Sequence, residues 1–502
     1  MSAGALTALA AACAPSSPPP AASPRADQPR PGGLFRWGIV GDALTLDGHS
    51  INAPLNITMQ LHDRLTQYDA QFVPQPMLAE SFDVSSDRTQ LKLSLRKGVT
   101  FHTGRELTAD DIKWNIARIA QDPKLNSLIY PQAAWWTAMD APDKYTLVLK
   151  SDAPRPPTVF DLFEFLTIID PQSDDLNAHP SGTGPFQLVE WAPGDHFKLT
   201  KNRNYWQADR PYFDDLYVQI FGDPQAMIVA LEATGIDAAD KPPTRDELRL
   251  RGDSNFQLVA NDMSAAYYCM SMNTSVPPLD NKLVRQALSY ATDRKRMVDT
   301  ALPGLGQPKF LPWPSHSPAY EADKDAAYPF DLDKARDLLQ QAGISNAELE
   351  LLYSAQFAEY PTMAQIYQSD LAKLGIALKL RPIDNGAFLA EKLAGHFQLT
   401  LDRNTSTSLN PDRGISGGFL GKANVQKFAD PAYLSLIDQV LAESDAEKRK
   451  PLLSRFNDIL VDEAFVPSLC SVPTAALASG RVRGLVYSAA ENWKIGDMWL
   501  AA

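Results

Sequence analysis

The side chains that most often carry catalysis or bind metal ions are few in this sequence and lie far apart. The chain has seven histidines and three cysteines. They form neither an HExxH nor a CxxC pattern. An enzyme would therefore need catalytic residues that meet only in the folded chain. We predict a protein that is not an enzyme and that has no metal site and no cofactor.

A polar segment late in the chain is better suited to hold a ligand than to react with one. It reads HFQLTLDRNTSTSLNPDR over residues 396–413. Its candidate ligand-binding residues are Arg403, Asn404, Thr405, Thr407 and Asp412. A guanidinium beside hydroxyls and amides suits a carboxylate, a phosphate or a sugar, because it donates paired hydrogen bonds to planar oxyanions. Alternatively, Arg403 forms only a surface ion pair with Asp402 or Asp412.

Length, composition and charge restrict the class of protein. At 502 residues the chain exceeds what one hydrophobic core usually supports, so two or three domains are expected. The net charge of −13 argues against nucleic-acid binding, which needs a basic surface. The sequence contains no run of eighteen or more apolar residues, so it predicts no membrane-spanning helix.

Cys269 lies in an aromatic segment and Cys470 in an apolar one, and we predict that both are buried free thiols rather than partners in a disulfide.

The first 33 residues have the composition of an export signal followed by a tether. The run LTALAAAC ends at Cys13, and seven prolines occupy the next twenty residues, a composition that cannot build a core. An apolar run, small residues and a cysteine are similar to the lipobox of bacterial lipoprotein signal peptides. We therefore predict export with lipid attachment at Cys13, and a plain cleaved signal peptide is the alternative.

Residues 71–119 predict two short strands, a turn and a capped helix. Leucines alternate with polar residues over 91–96, as in a half-buried strand. A polar turn at 102–105 follows, and Thr108 and Asp111 have the spacing of a helix-capping box. Isoleucines four and then three residues apart give the helix one apolar face.

A second block, 182–206, begins with Gly-Thr-Gly-Pro-Phe and predicts a strand hairpin. Gly182 and Gly184 allow another stretch of backbone to approach closely, and Pro185 prevents a helix. The block is not a phosphate-binding loop, because no GK[ST] motif or helix start follows it.

The two blocks together resemble the signature of the periplasmic solute-binding proteins of the dipeptide, oligopeptide and nickel ABC importer family. The matching residues of the first block are Pro76, Leu78, Ala79, Glu80, Ser81, Leu95, Arg96, Gly98, Val99, Phe101, His102, Gly104, Thr108, Ala109, Asp110, Asp111 and Ile112. Those of the second block are Gly182, Thr183, Gly184, Pro185, Phe186, Val189, Trp191, Gly194, Leu199, Lys201, Asn202, Tyr205 and Trp206. The resemblance implies an α/β protein with the two-lobed periplasmic-binding-protein fold (type II, cluster C) and an extra inserted domain.

The resemblance also implies a division of the chain into a signal with its tether, a discontinuous lobe I, the inserted domain and lobe II. The signal with its tether comprises residues 1–33. Lobe I comprises 34–66, 168–262 and 478–502. The inserted domain comprises 67–167, and lobe II comprises 263–477.

Further ligand-binding positions follow from the resemblance. They are Thr45, Leu46, Asp47, Trp135, Trp136 and Tyr268. The first three match an element that ends at the ligand cleft in the family, although Asp47 alternatively caps the turn that follows it. One of the two tryptophan rings is expected to face the cleft. Tyr268 lies in the aromatic strand that enters lobe II.

The polar segment departs from the peptide-binding members of the family. In those proteins a Gly-Trp pair precedes acidic residues, one of which pairs with the free amino group of the peptide. Here Arg403 and Asn404 occupy the Gly-Trp position, Thr407 stands where that carboxylate is expected, and Asp412 keeps the later acidic position. The departure argues against recognition of a free amino terminus.

The function implied is that of the extracytoplasmic substrate-binding subunit of an ABC importer. It would capture a small peptide-like or other polar solute between two closing lobes and deliver it to a membrane permease. We expect a periplasmic monomer, lipid-anchored through Cys13, whose partners are the ligand and the permease and ATPase subunits, with no nucleic acid. The alternatives are a sensory binding protein that reports its ligand to a receptor, and an extracytoplasmic hydrolase on the same scaffold.

Overall fold

The computed structural model describes residues 28–69, 73–126, 129–155, 159–261, 266–404, 411–417, 419–443, 445–472, 474–488 and 492–501. The strands in this part of the chain are β1 (Leu34–Val40), β2 (Thr66–Tyr68), β3 (Pro74–Pro76), β4 (Ala79–Val84), β5 (Gln90–Leu95), β6 (Ala138–Asp143), β7 (Thr146–Lys150), β8 (Phe186–Ala192), β9 (His196–Lys201), β10 (Asp215–Phe221), β11 (Ala238–Asp240), β12 (Phe256–Ala260), β13 (Tyr267–Met272), β14 (Ala347–Ser354), β15 (Ile376–Ile383), β16 (Leu399–Asn404), β17 (Ser468–Ser471), β18 (Ala475–Ser479), β19 (Val482–Arg483) and β20 (Trp499–Leu500).

The helices in the same residues are α1 (Leu55–Leu61), α2 (Ala109–Gln121), α3 (Tyr130–Ala133), α4 (Val159–Phe165), α5 (Pro224–Glu232), α6 (Thr244–Leu250), α7 (Lys282–Tyr290), α8 (Arg294–Ala301), α9 (Ala322–Asp325), α10 (Leu332–Gln341), α11 (Tyr360–Ala372), α12 (Asn385–Ala394), α13 (Pro411–Ser416), α14 (Pro431–Ala442) and α15 (Ala446–Glu463), with a 3-10 turn at Ile495–Asp497. Among them is no helix long and apolar enough to cross a membrane.

Lobe I is built on a mixed seven-stranded sheet with the order β12-β18-β11-β1-β10-β9-β8. Strand β1 is parallel to both of its neighbours, β10 and β11. Its alternate residues Phe35, Trp37 and Ile39 are buried in the core of lobe I. Because β1 enters the sheet at its centre, the loop that follows it leaves from the carboxyl edge, where open α/β sheets bind ligands.

The inserted domain is an antiparallel four-stranded sheet with the order β4-β5-β7-β6, covered by α2 and α4. The leucines of β5 point into this core, as their alternation predicts. The capping box is also confirmed, because the Asp111 carboxylate accepts from the Thr108 backbone N–H at 2.8 Å while the Thr108 side chain accepts from the helix. These local signals account for most of the domain.

Lobe II carries a five-stranded sheet with the order β15-β14-β16-β13-β17, in which β14 is parallel to β15 and β16. Strand β13 separates two cores. Tyr268 points into the core against α7, α10 and α11, while Tyr267 and Cys269 point into the core against α14 and α15. Cys269 and Cys470 are buried free thiols, as predicted.

The chain passes from lobe I to lobe II between Asn261 and Ala266 and returns between Val472 and Thr474, and we call these two stretches the crossing segments; the described residues that flank them are hydrogen-bonded to one another. On the lobe I side the Asn261 N–H donates to the Thr474 carbonyl at 2.8 Å. On the lobe II side the Val472 N–H donates to the Ala266 carbonyl at 2.8 Å. Strand β18 is hydrogen-bonded to β11 and β12, so the last segment of lobe I begins by Ala475 and not at the predicted 478.

The two blocks that carry the family resemblance meet at the end of α1. The His102 backbone N–H donates to the Gly182 carbonyl at 2.8 Å, and the His102 ring Nε2 lies 3.1 Å from the Gly184 carbonyl oxygen. A Cβ atom placed on Gly184 would lie 2.4 Å from the Leu61 carbonyl carbon, so only glycine fits there. The predicted close backbone approach at the glycines is confirmed.

The buried carboxylate of Asp63, which follows the end of α1, accepts hydrogen bonds from residues of the second block, 182–206. Its carboxylate accepts from Tyr205 Oη at 2.9 Å, from Trp206 Nε1 at 2.8 Å and from Thr183 Oγ1 at 3.1 Å. Burial raises the pKa of Asp63 to about 6, and the three donors oppose that shift. The hairpin and lobe I are thus joined by side-chain hydrogen bonds as well as by backbone contact.

We predict that Gly184→Ala lowers the free energy of unfolding by about 2–4 kcal/mol, because the new methyl group meets rigid backbone that must move. Gly222→Ala is the matched control, since no atom lies within 4 Å of its Cβ position, and we expect a change of less than about 0.5 kcal/mol. Urea unfolding followed by circular dichroism measures both. Equal stabilities of the two variants would contradict the proposed packing.

Candidate functional site

The candidate site lies where lobe II faces lobe I and the inserted domain. Lobe II contributes the carboxyl ends of the parallel strands β14 and β16, together with β13 and α13. Lobe I contributes the loop after β1 and the helix α6. The predicted residues Thr405 and Thr407, and the predicted lipid-attachment residue Cys13, lie outside the described residues.

Arg403 is the central cation of the site. It lies at the end of β16, directly opposite Tyr268 in the register with β13. The two acidic neighbours that were considered as partners are engaged elsewhere, because Asp402 pairs with Lys392 and Asp412 pairs with Arg449. Within the described parts of the chain the Arg403 side chain forms no ion pair. Arg403 is half-buried and therefore remains available to an anionic ligand.

Glu359, in the loop after β14, adds a carboxylate next to Arg403. The Tyr268 hydroxyl donates to it, and Tyr268 is held by the edge of the Tyr360 ring at a centroid distance of 5.1 Å. Burial raises the pKa of Glu359, and Arg403 opposes that shift. Tyr268 is 1% exposed, so almost none of its surface can contact a ligand. Its role is to orient Glu359.

A second carboxylate, Glu247 on α6, approaches from lobe I. It is 7% exposed. Burial, and then the nearby negative charge of Glu359, raise the pKa of Glu247 to about 7. Two carboxylates from different lobes therefore lie close to each other, and one of them, Glu359, also lies close to Arg403. Neither glutamate was predicted. Glu359 could have been found from its position after a strand parallel to β16, whereas Glu247 carries no signal in the sequence.

The loop after β1 is tied to its surroundings by side-chain contacts. Thr45 Oγ1 donates to Asn177 Oδ1 at 2.7 Å, and the Leu46 side chain is fully buried in the core of lobe I. Asp47 accepts from Arg118 Nη2 at 2.6 Å and Nη1 at 2.8 Å, and from the His49 N–H at 3.1 Å. Asp47 thus caps its turn and binds the inserted domain. A ligand contact by these three residues stays a prediction.

The tryptophan pair lies in the inserted domain, and both rings are half-buried against its core. The Arg155 guanidinium stacks over the Trp135 ring, 5.3 Å from its centroid. The buried Trp136 Nε1 has no acceptor among the described residues. Trp135 is therefore already covered by a cation on one face, and its contact with a ligand remains a prediction.

Among the described residues, a contact between a cation and an aromatic ring joins lobe II to the inserted domain across the site. The Arg413 guanidinium of α13 lies 4.9 Å from the centroid of the Phe165 ring on α4. Asp161, one turn earlier on α4, attracts the same cation. The adjacent residue Asp412 is buried with Arg449, and Asn404 is also buried. Asp412 therefore anchors α13 inside lobe II while Arg413 reaches across to the other side.

A short match to an esterase motif does not form a nucleophile in this fold. Residues 414–418 read Gly-Ile-Ser-Gly-Gly, which fits GxSxG, so the expectation that the chain lacks this motif is wrong. A nucleophile elbow places its serine on a sharp turn between a strand and a helix. Ser416 is instead the last residue of α13, and its hydroxyl donates to the Arg413 carbonyl at 3.5 Å.

Among the described residues no group of three or more histidine, cysteine or acidic side chains is arranged to hold a metal ion.

Comparison with known proteins places this geometry in a family. The model of the bacterial extracellular solute-binding proteins, family 5 (middle), matches residues 73–426. The chain belongs to this family. Heme-binding protein A of Haemophilus influenzae is 28% identical over 493 residues, which cover 89% of this chain and 87% of that protein. Glutathione-binding protein GsiB of Salmonella choleraesuis is 30% identical over 356 residues, 69% of each chain.

The family 5 fold extends over nearly the whole chain. The structure of HbpA2 from Haemophilus parasuis superposes with a TM-score of 0.81 at 24% identity, covering 94% of this chain and 100% of that one. The predicted two-lobed α/β fold is therefore confirmed. As a family 5 protein, the chain is an extracytoplasmic substrate-binding subunit of an ABC importer that works with a membrane permease.

The pairing of Asp47 with Arg118 yields a prediction about the loop after β1. Because Arg118 holds both Asp47 oxygens, we expect Asp47→Asn and Arg118→Met each to cost about 1–3 kcal/mol of unfolding free energy, and the double variant little more. Urea unfolding of the four proteins measures the coupling. Additive losses would show that the two residues act separately. A loss of solute affinity by Asp47→Asn in the Arg118→Met background would reveal a direct ligand contact.

The contact of Arg413 with Phe165 predicts an effect on lobe closure. Removing the cation in Arg413→Ala should raise the dissociation constant for a bound solute by about three- to thirty-fold, because about 0.5–2 kcal/mol of closed-state contact is lost. Small-angle X-ray scattering should show a larger radius of gyration. Arg336→Ala, which removes an exposed arginine of lobe II that pairs with Asp333, is the control. An unchanged radius in Arg413→Ala would contradict a role in closure.

Proposed function

We propose that this importer subunit captures a small peptide-like or other polar solute that carries a carboxylate or another oxyanion, and that Arg403 binds this group. The observation that carries the proposal is the half-buried Arg403 guanidinium, whose two acidic neighbours are already paired with Lys392 and Arg449. The Arg403 guanidinium is attracted to Glu359 but forms no ion pair within 4 Å in the described chain, so it can still bind a ligand oxyanion through two parallel hydrogen bonds.

The acidic side of the site suits a cationic group on the same solute. Glu247 and Glu359 come from different lobes, and the negative charge of Glu359 adds to burial in disfavouring ionisation of Glu247. A ligand ammonium between them would restore both negative charges. A zwitterionic solute, such as a peptide or an amino-acid conjugate, therefore fits the charges better than a neutral sugar. The relative that is named a glutathione-binding protein supports a peptide-like solute.

Closure of the lobes is the proposed mechanism of capture. The described residues that flank the two crossing segments are joined by backbone hydrogen bonds, between Asn261 and Thr474 on the lobe I side and between Val472 and Ala266 on the lobe II side. Rotation about these segments would separate Arg413 from Phe165 and Glu359 from Glu247. A solute that contacts both lobes stabilises the closed form, which the permease would then recognise. We further propose that Cys13 anchors the chain to the membrane through a lipid, and that the protein carries out no catalysis.

The experiment is a titration of matched dipeptides by isothermal calorimetry: the free dipeptide, its carboxyl amide, and its N-acetyl form. We expect the amide to bind about ten- to hundred-fold more weakly than the free dipeptide, since a charge-assisted contact with Arg403 contributes about 1.5–3 kcal/mol. Arg403→Ala should weaken the free dipeptide by a similar factor and leave the amide unchanged.

Haem, glutathione and a sugar phosphate extend the panel to other solute classes. Arg336→Ala is again the control for the loss of a lobe II arginine and should bind as the wild type does. Equal affinities of the free dipeptide for the wild type and Arg403→Ala would overturn the role of Arg403. A larger loss from N-acetylation than from amidation would show that the amino group dominates recognition.

A further inference from the structure

Lobe II contains a pair of cavities that are separate from the site between the lobes. They have volumes of about 570 Å³ and 400 Å³, and they share four wall residues, Pro308, Lys309, Tyr320 and Asp325. This segment runs along the free edge of the lobe II sheet, where Pro308 pairs with Cys470 and the Lys309 N–H donates to the Leu469 carbonyl at 3.2 Å. The cavities thus lie beside strand β17, next to the crossing segments.

Lys309 places a buried cation between the two cavities. The residue is 8% exposed, and its ammonium donates to the Trp313 carbonyl at 2.5 Å. In the described residues it forms no ion pair. The nearby carboxylate of Asp325 is engaged with other donors, since Oδ1 accepts from the Phe310 N–H at 2.8 Å and the Leu311 N–H at 2.7 Å, and the carboxylate also accepts from the Tyr320 hydroxyl. Burial lowers the pKa of Lys309 to about 8, and Asp325 opposes that shift.

Arg294 adds a second buried cation in the wall of the smaller cavity. It is 7% exposed, and it donates only to carbonyl oxygens, those of Ser468 at 2.8 Å and of Ser289 and Tyr328 at 3.2 Å. Its buried Nη2 has no acceptor among the described residues. Asp293, the other carboxylate in the wall of the smaller cavity, accepts from the Arg296 N–H at 3.0 Å and lies 3.7 Å from the Arg296 guanidinium. Neither buried cation forms an ion pair with a carboxylate among the described residues, and a buried cation without such a partner is costly unless an anion compensates it.

We propose that a small anion carrying a phosphate or carboxylate group binds in these cavities against Lys309. An ammonium at the boundary of two cavities can turn its unused N–H donors toward an oxyanion. The larger cavity is also lined by Asn261 and Ser471, which lie at the ends of the two crossing segments. The bound anion would therefore contact both segments about which the lobes rotate.

Because the larger cavity lies beside the crossing segments, we expect binding of the anion to be coupled to capture of the imported solute. This coupling rests on the proposed function, whereas binding of the anion does not. An effector that contacts Asn261 and Ser471 differently in the open and closed forms shifts the balance between them. The affinity for the solute should then change when the anion is present.

The test uses the full chain and inorganic phosphate, with citrate as the carboxylate probe, at constant ionic strength. We expect phosphate or citrate to raise the melting temperature of the wild type. Lys309→Met should weaken that binding by about ten- to hundred-fold, the factor for losing one charge-assisted contact. Lys334→Met, which removes an exposed lysine of the same lobe, is the matched control and should respond as the wild type does. Which of the two probes is more effective distinguishes a phosphate from a carboxylate ligand.

A second measurement needs no variant. Trace acetylation of the wild type, read by peptide mass spectrometry, should label Lys309 less in the presence of the effective anion, while labelling of Lys334 stays constant. Unchanged labelling of Lys309, or equal thermal shifts in all three proteins, would overturn the site. Protection of Lys309 without any change in solute affinity would keep the anion site and overturn only its coupling to capture.

Discussion

The contact of Gly184 with the backbone at the end of α1 is the constraint on which the rest of the arrangement depends. It leaves no space for a side chain, so the Gly-Thr-Gly-Pro-Phe segment lies directly on Leu61. The His102 turn of the inserted domain is hydrogen-bonded to the same glycines. Asp63, next along the chain, then receives the hydrogen bonds of the following hairpin. Three parts of the sequence are thus fixed at one point, and the pairing of Asp47 with Arg118 depends on their positions.

Features encoded by neighbouring residues were predictable from the sequence. The alternation in β1 and β5, the Thr108 capping box and the glycines of the second block each express a local rule, and the structure shows each of them. The family signature also places Arg403 directly after a predicted strand of lobe II, and in the structure it lies near the end of β16. Even here the last segment of lobe I begins earlier than predicted, since its strand pairs with partners more than 200 residues away in the chain.

Features that depend on contacts between distant parts of the chain were not predictable. The surface ion pair considered for Arg403 is replaced by pairs of Asp402 with Lys392 and of Asp412 with Arg449, and nothing in the local sequence distinguishes these partners. Glu247 stands in an ordinary helix of lobe I, and its proximity to Glu359 arises only when the lobes meet. The same holds for Lys309, which is an unremarkable lysine in sequence and a buried cation in the fold.

The charges across the boundary between the lobes explain why closure should await a ligand. Burial, and then the charge of Glu359, raise the pKa of Glu247 to about 7, so its ionised form is disfavoured where the two lobes meet. A ligand ammonium beside the two glutamates would favour their ionised forms, and the contact of Arg413 with Phe165 adds to the contacts between lobe II and the inserted domain. A solute that supplies a positive charge to the glutamates and a negative charge to Arg403 therefore favours the closed form.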